Sequence, residues 1–250
     1  MNRLIVVLAA LIVALIPLAA GHGTVRFPPQ RSTRWRCNPN APPNWNDNEI
    51  WCGGIGIQWG QNGGRCGVCG DNYAHPTPRA HELGGTFGQG EIVANYTEGS
   101  VITIDVIITA NHRGHFEFKL CCLDNSAETE KCFDEHFLVD TEGRHIWHLN
   151  STMYGMYHVP LQLPRGLVCE HAVLQWTYVT ANNWGICPDG TGALGCGPQE
   201  HFRTCSDIGI YHANDERLKE SFNFCPNRPV ERTVDDWISG NFPEEFVGGY

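Results

Sequence analysis

A histidine that becomes the first residue of a chain offers a cation two nitrogens within chelating reach, its α-amine and its ring Nδ1. The sequence prepares such a residue at His22. Arg3 precedes an apolar run from Leu4 to Leu18, closed by Ala19, Ala20 and Gly21. These are the charged, apolar and small-residue regions of a secretion signal and its cleavage site. Cleavage after Gly21 leaves His22 at the N-terminus. A second imidazole, His112, lies in Ala110-Asn-His-Arg-Gly114, between two strand-patterned runs, where a rigid scaffold presents a loop residue. Two imidazoles and an amine form an all-nitrogen, T-shaped donor set. Such a set favours copper, which also heads the affinity series for divalent metals. The α-amine has an ordinary pKa of about 7.7–8.0, so a metal displaces its proton near neutral pH at little cost. Three planar donors leave positions open for an oxygen species, the mark of a redox centre.

Other residue groups compete with this reading. Of the twelve histidines, His115 is the nearest rival, opening the next strand on its polar face. His75, His81, the five histidines from His136 to His171, and His212 read as ordinary loop and surface residues. Cys66-Gly-Val-Cys69, with Cys52 upstream, has zinc-site spacing. All twelve cysteines follow the signal, however, and an even count in a secreted chain reads as six disulfides of open connectivity. The neighbours Cys121 and Cys122 must find different partners. No nucleophile-elbow sequence supports a serine hydrolase, and no distinctive carboxylate pair supports a glycosidase. In Gln199-Glu-His-Phe202-Arg-Thr-Cys205, Phe202 reads either as core or as a non-coordinating ring on the axial side of a metal.

The formal charge of −10 becomes more negative once Arg3 is removed. That excludes the clustered positive charge of a nucleic-acid binder and fits a neutral substrate. No apolar stretch of membrane-spanning length follows the signal, so no membrane partner is expected. The sequons at Asn95 and Asn150 fit an extracellular route and predict surface positions.

Strands must position the two histidines. Ile102, Ile104, Val106 and Ile108 alternate with Thr103, Asp105, Ile107 and Thr109, and Phe116, Phe118 and Leu120 alternate with His115, Glu117 and Lys119. Period two puts one face of each run inward, and the Gly-containing segment between them reads as a hairpin connection. Further strands are expected at 144–149, 156–163, 172–179 and 202–211. Residues 22 to about 90, rich in Gly, Pro and Asn, read as loops held by disulfides and aromatic contacts. The fold class predicted is all-β, an immunoglobulin- or fibronectin III-like antiparallel sandwich with long disulfide-stapled loops. The chain divides into a signal (1–21), a sandwich domain (22–211) and an acidic C-terminal extension (212–250) pinned by Cys225.

Taken together and in order, certain motifs resemble the lytic polysaccharide monooxygenases of auxiliary activity family 15. They are His22-Gly, Asn46-Asp-Asn-Glu49, Trp51-Cys-Gly-Gly54, Cys66-Gly-Val-Cys-Gly-Asp71, Pro78-Arg-Ala-His-Glu82, Thr109-Ala-Asn-His112, Asn182-Asn-Trp-Gly185 and Phe202-Arg-Thr-Cys-Ser-Asp207. The resemblance implies a single copper ion held by a histidine brace of His22 and His112. Ala110 matches the small residue that crowds one axial side, and Phe202 the aromatic on the other, where Phe removes a phenol. Glu200 matches a Gln or Glu that orients the oxygen species. The implied reaction oxidises C1 or C4 of β-1,4-linked sugars, C1 being the family expectation, with an external electron donor and hydrogen peroxide or dioxygen. The implied partner is an insoluble polysaccharide, chitin or cellulose, met by a secreted monomer through a flat face; Trp45, Trp59 and Tyr73 are candidate sugar-stacking rings. The alternatives are a non-catalytic chitin- or matrix-binding protein and a copper-binding protein without a polysaccharide role.

Overall fold

The computed structural model describes residues 22–219; the signal, Cys225 and most of the acidic extension lie outside them. In chain order the elements are β1 (His22–Phe27), α1 (Ile55–Gly60), β2 (Ala94–Thr97), β3 (Val101–Ala110), β4 (His115–Cys122), α2 (Glu130–Phe133) and β5 (His136–Phe137). There follow β6 (Val139–Asp140), β7 (Trp147–His148), β8 (Gly155–Gln162), β9 (Cys169–Val179), β10 (Trp184–Ile186), β11 (Gly192–Leu194) and β12 (His201–Tyr211). One sheet has the order β1-β3-β8-β6 and the other β2-β12-β9-β4-β5, with β7 also on β4; β10 and β11 form a separate ribbon. Every pairing is antiparallel except β12 with β2.

The predicted alternation produces the core. Ile102, Ile104, Val106 and Ile108 from β3 are buried in one cluster with Phe116, Phe118 and Leu120 from β4 and Leu174, Trp176 and Tyr178 from β9. The two sheets therefore face each other as a sandwich. Expected strands at 156–163, 172–179 and 202–211 are present within one to three residues at each end, whereas 144–149 contributes only Trp147–His148.

Two expectations are corrected. Residues 110–114 do not make a hairpin, because β3 and β4 belong to different sheets. Both edges of β3 are already taken by β1 and β8, so the chain crosses to the opposite layer. Arg113 and Gly114 make that crossing with φ of 57° and 85°, and a Cβ on Gly114 would lie 2.0 Å from the Val179 carbonyl oxygen. Only glycine fits there. Nor is the segment before residue 90 all loop, since His22–Phe27 pairs with β3 from His22↔Ala110 to Phe27↔Asp105.

Disulfides do staple the rest of that segment, and the later loops as well. Cys52 bonds Cys66, Cys69 bonds Cys205, Cys121 bonds Cys132, Cys122 bonds Cys169, and Cys187 bonds Cys196. Cys37 is disulfide-bonded as well. The zinc reading is thereby replaced, and Cys121 and Cys122 take different partners. Buried ion pairs add a second clamp. Arg31 Nε and Nη2 donate to the two oxygens of Asp207 at 2.8 and 2.7 Å, and Arg31 also pairs with Glu128 at 2.7 Å. His171 Nε2 reaches the same Asp207 at 2.8 Å.

Burial alone would raise the pKa of Asp207. The hydrogen bonds and charges of Arg31 and His171 outweigh it and hold the carboxyl below its usual range. Its contribution to stability is therefore complete above the ordinary carboxylate pKa and fades as pH falls below it. Removing one partner of such a pair leaves a buried charge uncompensated. Asp207→Ala is expected to cost about 3–5 kcal/mol, read as a lower urea midpoint at unchanged m-value.

Candidate metal centre

The β1–β3 ladder sets His22 opposite Ala110, with a register shift between His22 and Gly23. Such an irregularity bends a strand and re-aims the side chain. Ala110 is thus the small residue beside His22, two positions before His112. The ring of His22 does not swing freely: its Nε2 lies 2.6 Å from Glu49 Oε1. Gly23 N–H donates to the Asn48 carbonyl at 3.1 Å, tying the strand to the segment that carries Glu49.

His112 is fixed through its backbone. Its N–H donates to the Tyr178 hydroxyl at 2.9 Å, and its carbonyl accepts from Ala181 N–H at 2.9 Å. Asn111 Nδ2 donates to the Met153 carbonyl at 2.7 Å and to the Tyr157 hydroxyl at 2.9 Å. On the ring side, the Asn182 side-chain amide stands 2.7 Å from His112 Nδ1. Tyr178 in turn stacks on Phe202, with ring centroids 5.8 Å apart, and Trp51 packs on Phe202 at 6.3 Å. Phe202 is fully buried and its register partner is Tyr178. Its ring belongs to the core, directly beneath the residue that holds His112. Cys205 is a structural half-cystine.

Glu200 is buried, and its carbonyl accepts from Thr180 N–H at 3.0 Å. Burial raises its carboxyl pKa above the usual range, against the lowering effects of a hydrogen bond from the Ile55 backbone and of His22 nearby. The structure therefore brings His22, Ala110, His112, Phe202 and Glu200 to one end of the sandwich. Glu49 and Asn182 join them. Neither was singled out from the sequence, although both lie in motifs that carried the family resemblance.

The donor chemistry fits a copper ion. A carboxylate on His22 Nε2 keeps the proton there, so Nδ1 presents its lone pair beside the α-amine that cleavage would free. Asn182 Nδ2 faces His112 Nδ1 at 2.7 Å; turning the amide over puts Oδ1 there instead, where it accepts Nδ1–H and leaves the lone pair on Nε2. Each imidazole is thus held by one nitrogen and can donate through the other. His115 is drawn away from this set. Its Nε2 lies 3.0 Å from Glu117 Oε1. Of the other histidines, His81, His158, His171 and His212 each pair with a carboxylate.

The candidate stacking rings separate. Trp45 is 74% exposed, edge-on to Trp35. Trp59 is half-covered, its Nε1–H donating to the Gln199 carbonyl at 2.7 Å, and Tyr73 lies under the guanidinium groups of Arg65 and Arg79. Sequence reasoning missed Trp184, 65% exposed and two residues beyond Asn182 on the β10–β11 ribbon. It also missed Met153 and Tyr154, exposed on the loop that Asn111 holds.

Two predictions follow from these positions. Glu49→Ala is expected to weaken copper binding about 10–100-fold, the usual cost of losing such a partner, with the circular dichroism spectrum unchanged. His201 sits one residue from Phe202, its Nδ1 3.0 Å from the Gln58 amide. Burial, then the charge of Arg203, lowers its pKa to about 4. The unfolded chain, with a histidine pKa of about 6.5, binds the proton first on acidification. Stability therefore falls as pH drops from about 6.5 to 4. A melting-temperature series across that window should be flatter for His201→Gln.

Known proteins share this architecture. The family model for cellulose-degrading lytic polysaccharide mono-oxygenases matches residues 22–208. An AA15 lytic polysaccharide monooxygenase from Thermobia domestica, solved in the Cu(I) state, is 47% identical. The match covers 76% of this chain and 98% of that one, with a TM-score of 0.73. An AA10 lytic polysaccharide monooxygenase from Streptomyces lividans is 15% identical over 75% of this chain and 99% of that one, with a TM-score of 0.50, a likeness of fold. No curated protein sequence matches.

Proposed function

Because the chain belongs to the lytic polysaccharide monooxygenases of auxiliary activity family 15, copper-dependent enzymes that degrade polysaccharide oxidatively, we propose that it cleaves crystalline chitin or cellulose at C1 through a brace of His22 and His112. The observation that carries this reading is the register that sets His22 opposite Ala110, two residues before His112, with a polar side chain on one nitrogen of each imidazole, Glu49 at 2.6 Å and Asn182 at 2.7 Å. Copper, when bound, supplies one-electron chemistry between an external reductant and hydrogen peroxide or dioxygen. The chain's own residues set the geometry. Glu49 fixes the ring of His22, Tyr178 and Asn182 fix His112, and Ala110 keeps the neighbouring side small. Phe202 closes the buried side with a ring that neither coordinates nor carries a proton. Glu200, its carboxyl pKa raised by burial, is the buried acid nearest the brace and the candidate proton donor there.

The polysaccharide is met by the exposed apolar surface next to His112. Trp184, Tyr154 and Met153 suit flat sugar rings better than Trp59 or Tyr73, which are partly covered. We read the protein as secreted and monomeric, cleaved after Gly21, with residues 22–211 as the catalytic domain and 212–250 as an extension. Among the described residues no helix is long and apolar enough to cross a membrane.

Copper titration of the mature protein should give one ion per chain. His112→Ala should abolish it, and a tag left ahead of His22 should weaken it strongly by removing the amine. With copper and a reductant, β-chitin or cellulose should release oxidised oligosaccharides detectable by mass spectrometry. Absence of such products from both polymers would overturn the catalytic reading, and full activity in the tagged form would overturn the site.

A further inference from the structure

The two Asn-X-Thr sequons, Asn95-Tyr-Thr97 and Asn150-Ser-Thr152, look equivalent in sequence, but their surroundings differ. Asn95 lies in β2, half-buried, in parallel register with Gly209 of β12. Its Nδ2, the atom a glycan would occupy, donates to the Arg217 carbonyl at 2.7 Å. A Cβ built on Gly209 would come within 2.6 Å of both Asn95 Oδ1 and the Tyr211 hydroxyl. The amide therefore lies flat over a strand position that has no side chain, and its oxygen is itself buried. Its nitrogen is committed to a backbone carbonyl and its oxygen packs on a strand, which leaves a sugar no way out. The surface position expected for Asn95 is corrected.

Asn150 is the opposite case. It is exposed, as are Ser151 to Tyr154 after it, in the loop between β7 and β8. The loop is nevertheless anchored at both ends. Leu149 N–H donates to the Gly114 carbonyl at 2.9 Å, and the Met153 carbonyl accepts from Asn111 Nδ2 at 2.7 Å. Both anchors belong to the segment that carries His112.

We propose that Asn150 is the N-glycosylated residue of this protein, that Asn95 is not, and that the sugar is rooted at the rim of the metal-bearing face. The inference rests on the secretory reading above. In the transfer, Asn150 Nδ2 bonds to the anomeric carbon of a lipid-diphosphate-linked oligosaccharide, the lipid diphosphate leaves, and the amide loses one proton. Transfer precedes folding. A chain modified at Asn95 would have to give up the Arg217 contact and the packing over Gly209, whereas one modified at Asn150 folds unaltered.

The test is secretion of the full chain from a eukaryotic host, with N-terminal sequencing to verify His22. Peptide mapping follows treatment with an amidase that converts each glycosylated Asn to Asp. Thr152→Ala and Thr97→Ala break the sequons one at a time and leave both asparagines in place. The expected result is one glycan, at Asn150, lost in Thr152→Ala and retained in Thr97→Ala. A glycan on Asn95, or a secreted wild-type chain bare at Asn150, overturns the proposal. Copper titration of the same preparations keeps the two readings apart. One ion per chain in Thr152→Ala supports the brace whatever the glycan does, and a glycan on a chain that binds no copper sinks the brace alone.

Discussion

The placement of His22 depends on the ladder between β1 and β3. The first residues of a domain ordinarily fray, and a fraying terminus could not hold two nitrogens at a fixed place. Here the first described residue is already opposite Ala110, and the pairing continues to Phe27↔Asp105. Val25 is buried in the core cluster with Ile104, Val106 and Ile108, so withdrawing the strand would expose apolar surface. A backbone bond from Gly23 to Asn48 and the carboxylate of Glu49 then brace the strand from the loop side. Ladder, core contact and loop contact act on the same residue. A sheet-borne position is more precise than one on a free loop.

The loops can support that residue because they are clamped to the second sheet by charge and sulfur as well as by apolar area. A small cluster of Val68, Cys69, Phe133, Val173 and Cys205 lies between them, and beside it sit Arg31, Asp207 and Glu128. The Cys69–Cys205 bond closes a sequence separation of 136 residues. In the chain-entropy picture that is worth about 5 kcal/mol. Buried charge is weak evidence for net stability, because desolvation offsets the attraction. What the pair does provide is orientation, since the planar guanidinium meets both carboxylate oxygens at once.

How much of this was legible follows from range. Strands whose residues alternate were readable, because the pattern is local and Phe116, Phe118 and Leu120 can only face one way. β1 was not, because His-Gly-Thr-Val-Arg-Phe shows little alternation and its partner lies about eighty positions along the chain. Residues 110–114 misled for the same reason: a short glycine-containing link looks alike whether it returns to its own sheet or crosses to the other. The buried arginines were illegible in principle, since charge predicts exposure and only the partners, Asp207 and Glu128, reverse it. His22 and His112 could be named from processing and position. Glu49 and Asn182, which hold them, became visible only once the chain was folded.

The phenylalanine at 202 bears on how the proposed site is balanced. With Phe there, the phenol next to the proposed brace is that of Tyr178, one strand over and in register. That hydroxyl accepts the peptide N–H of His112, and burial, more than the hydrogen bond opposes, raises its pKa above the ordinary value. It is therefore a neutral group with its acceptor engaged on backbone, suited to fixing a turn and poorly suited to exchanging a proton. Two carboxylates flank the proposed brace, Glu49 on the ring of His22 and Glu200, buried and with its pKa raised. The aromatic stack of Trp51, Phe202 and Tyr178 keeps the side facing the core dry. Apolar rings thus back the proposed donor set on the core side, and its open side is the surface that carries Trp184 and Tyr154.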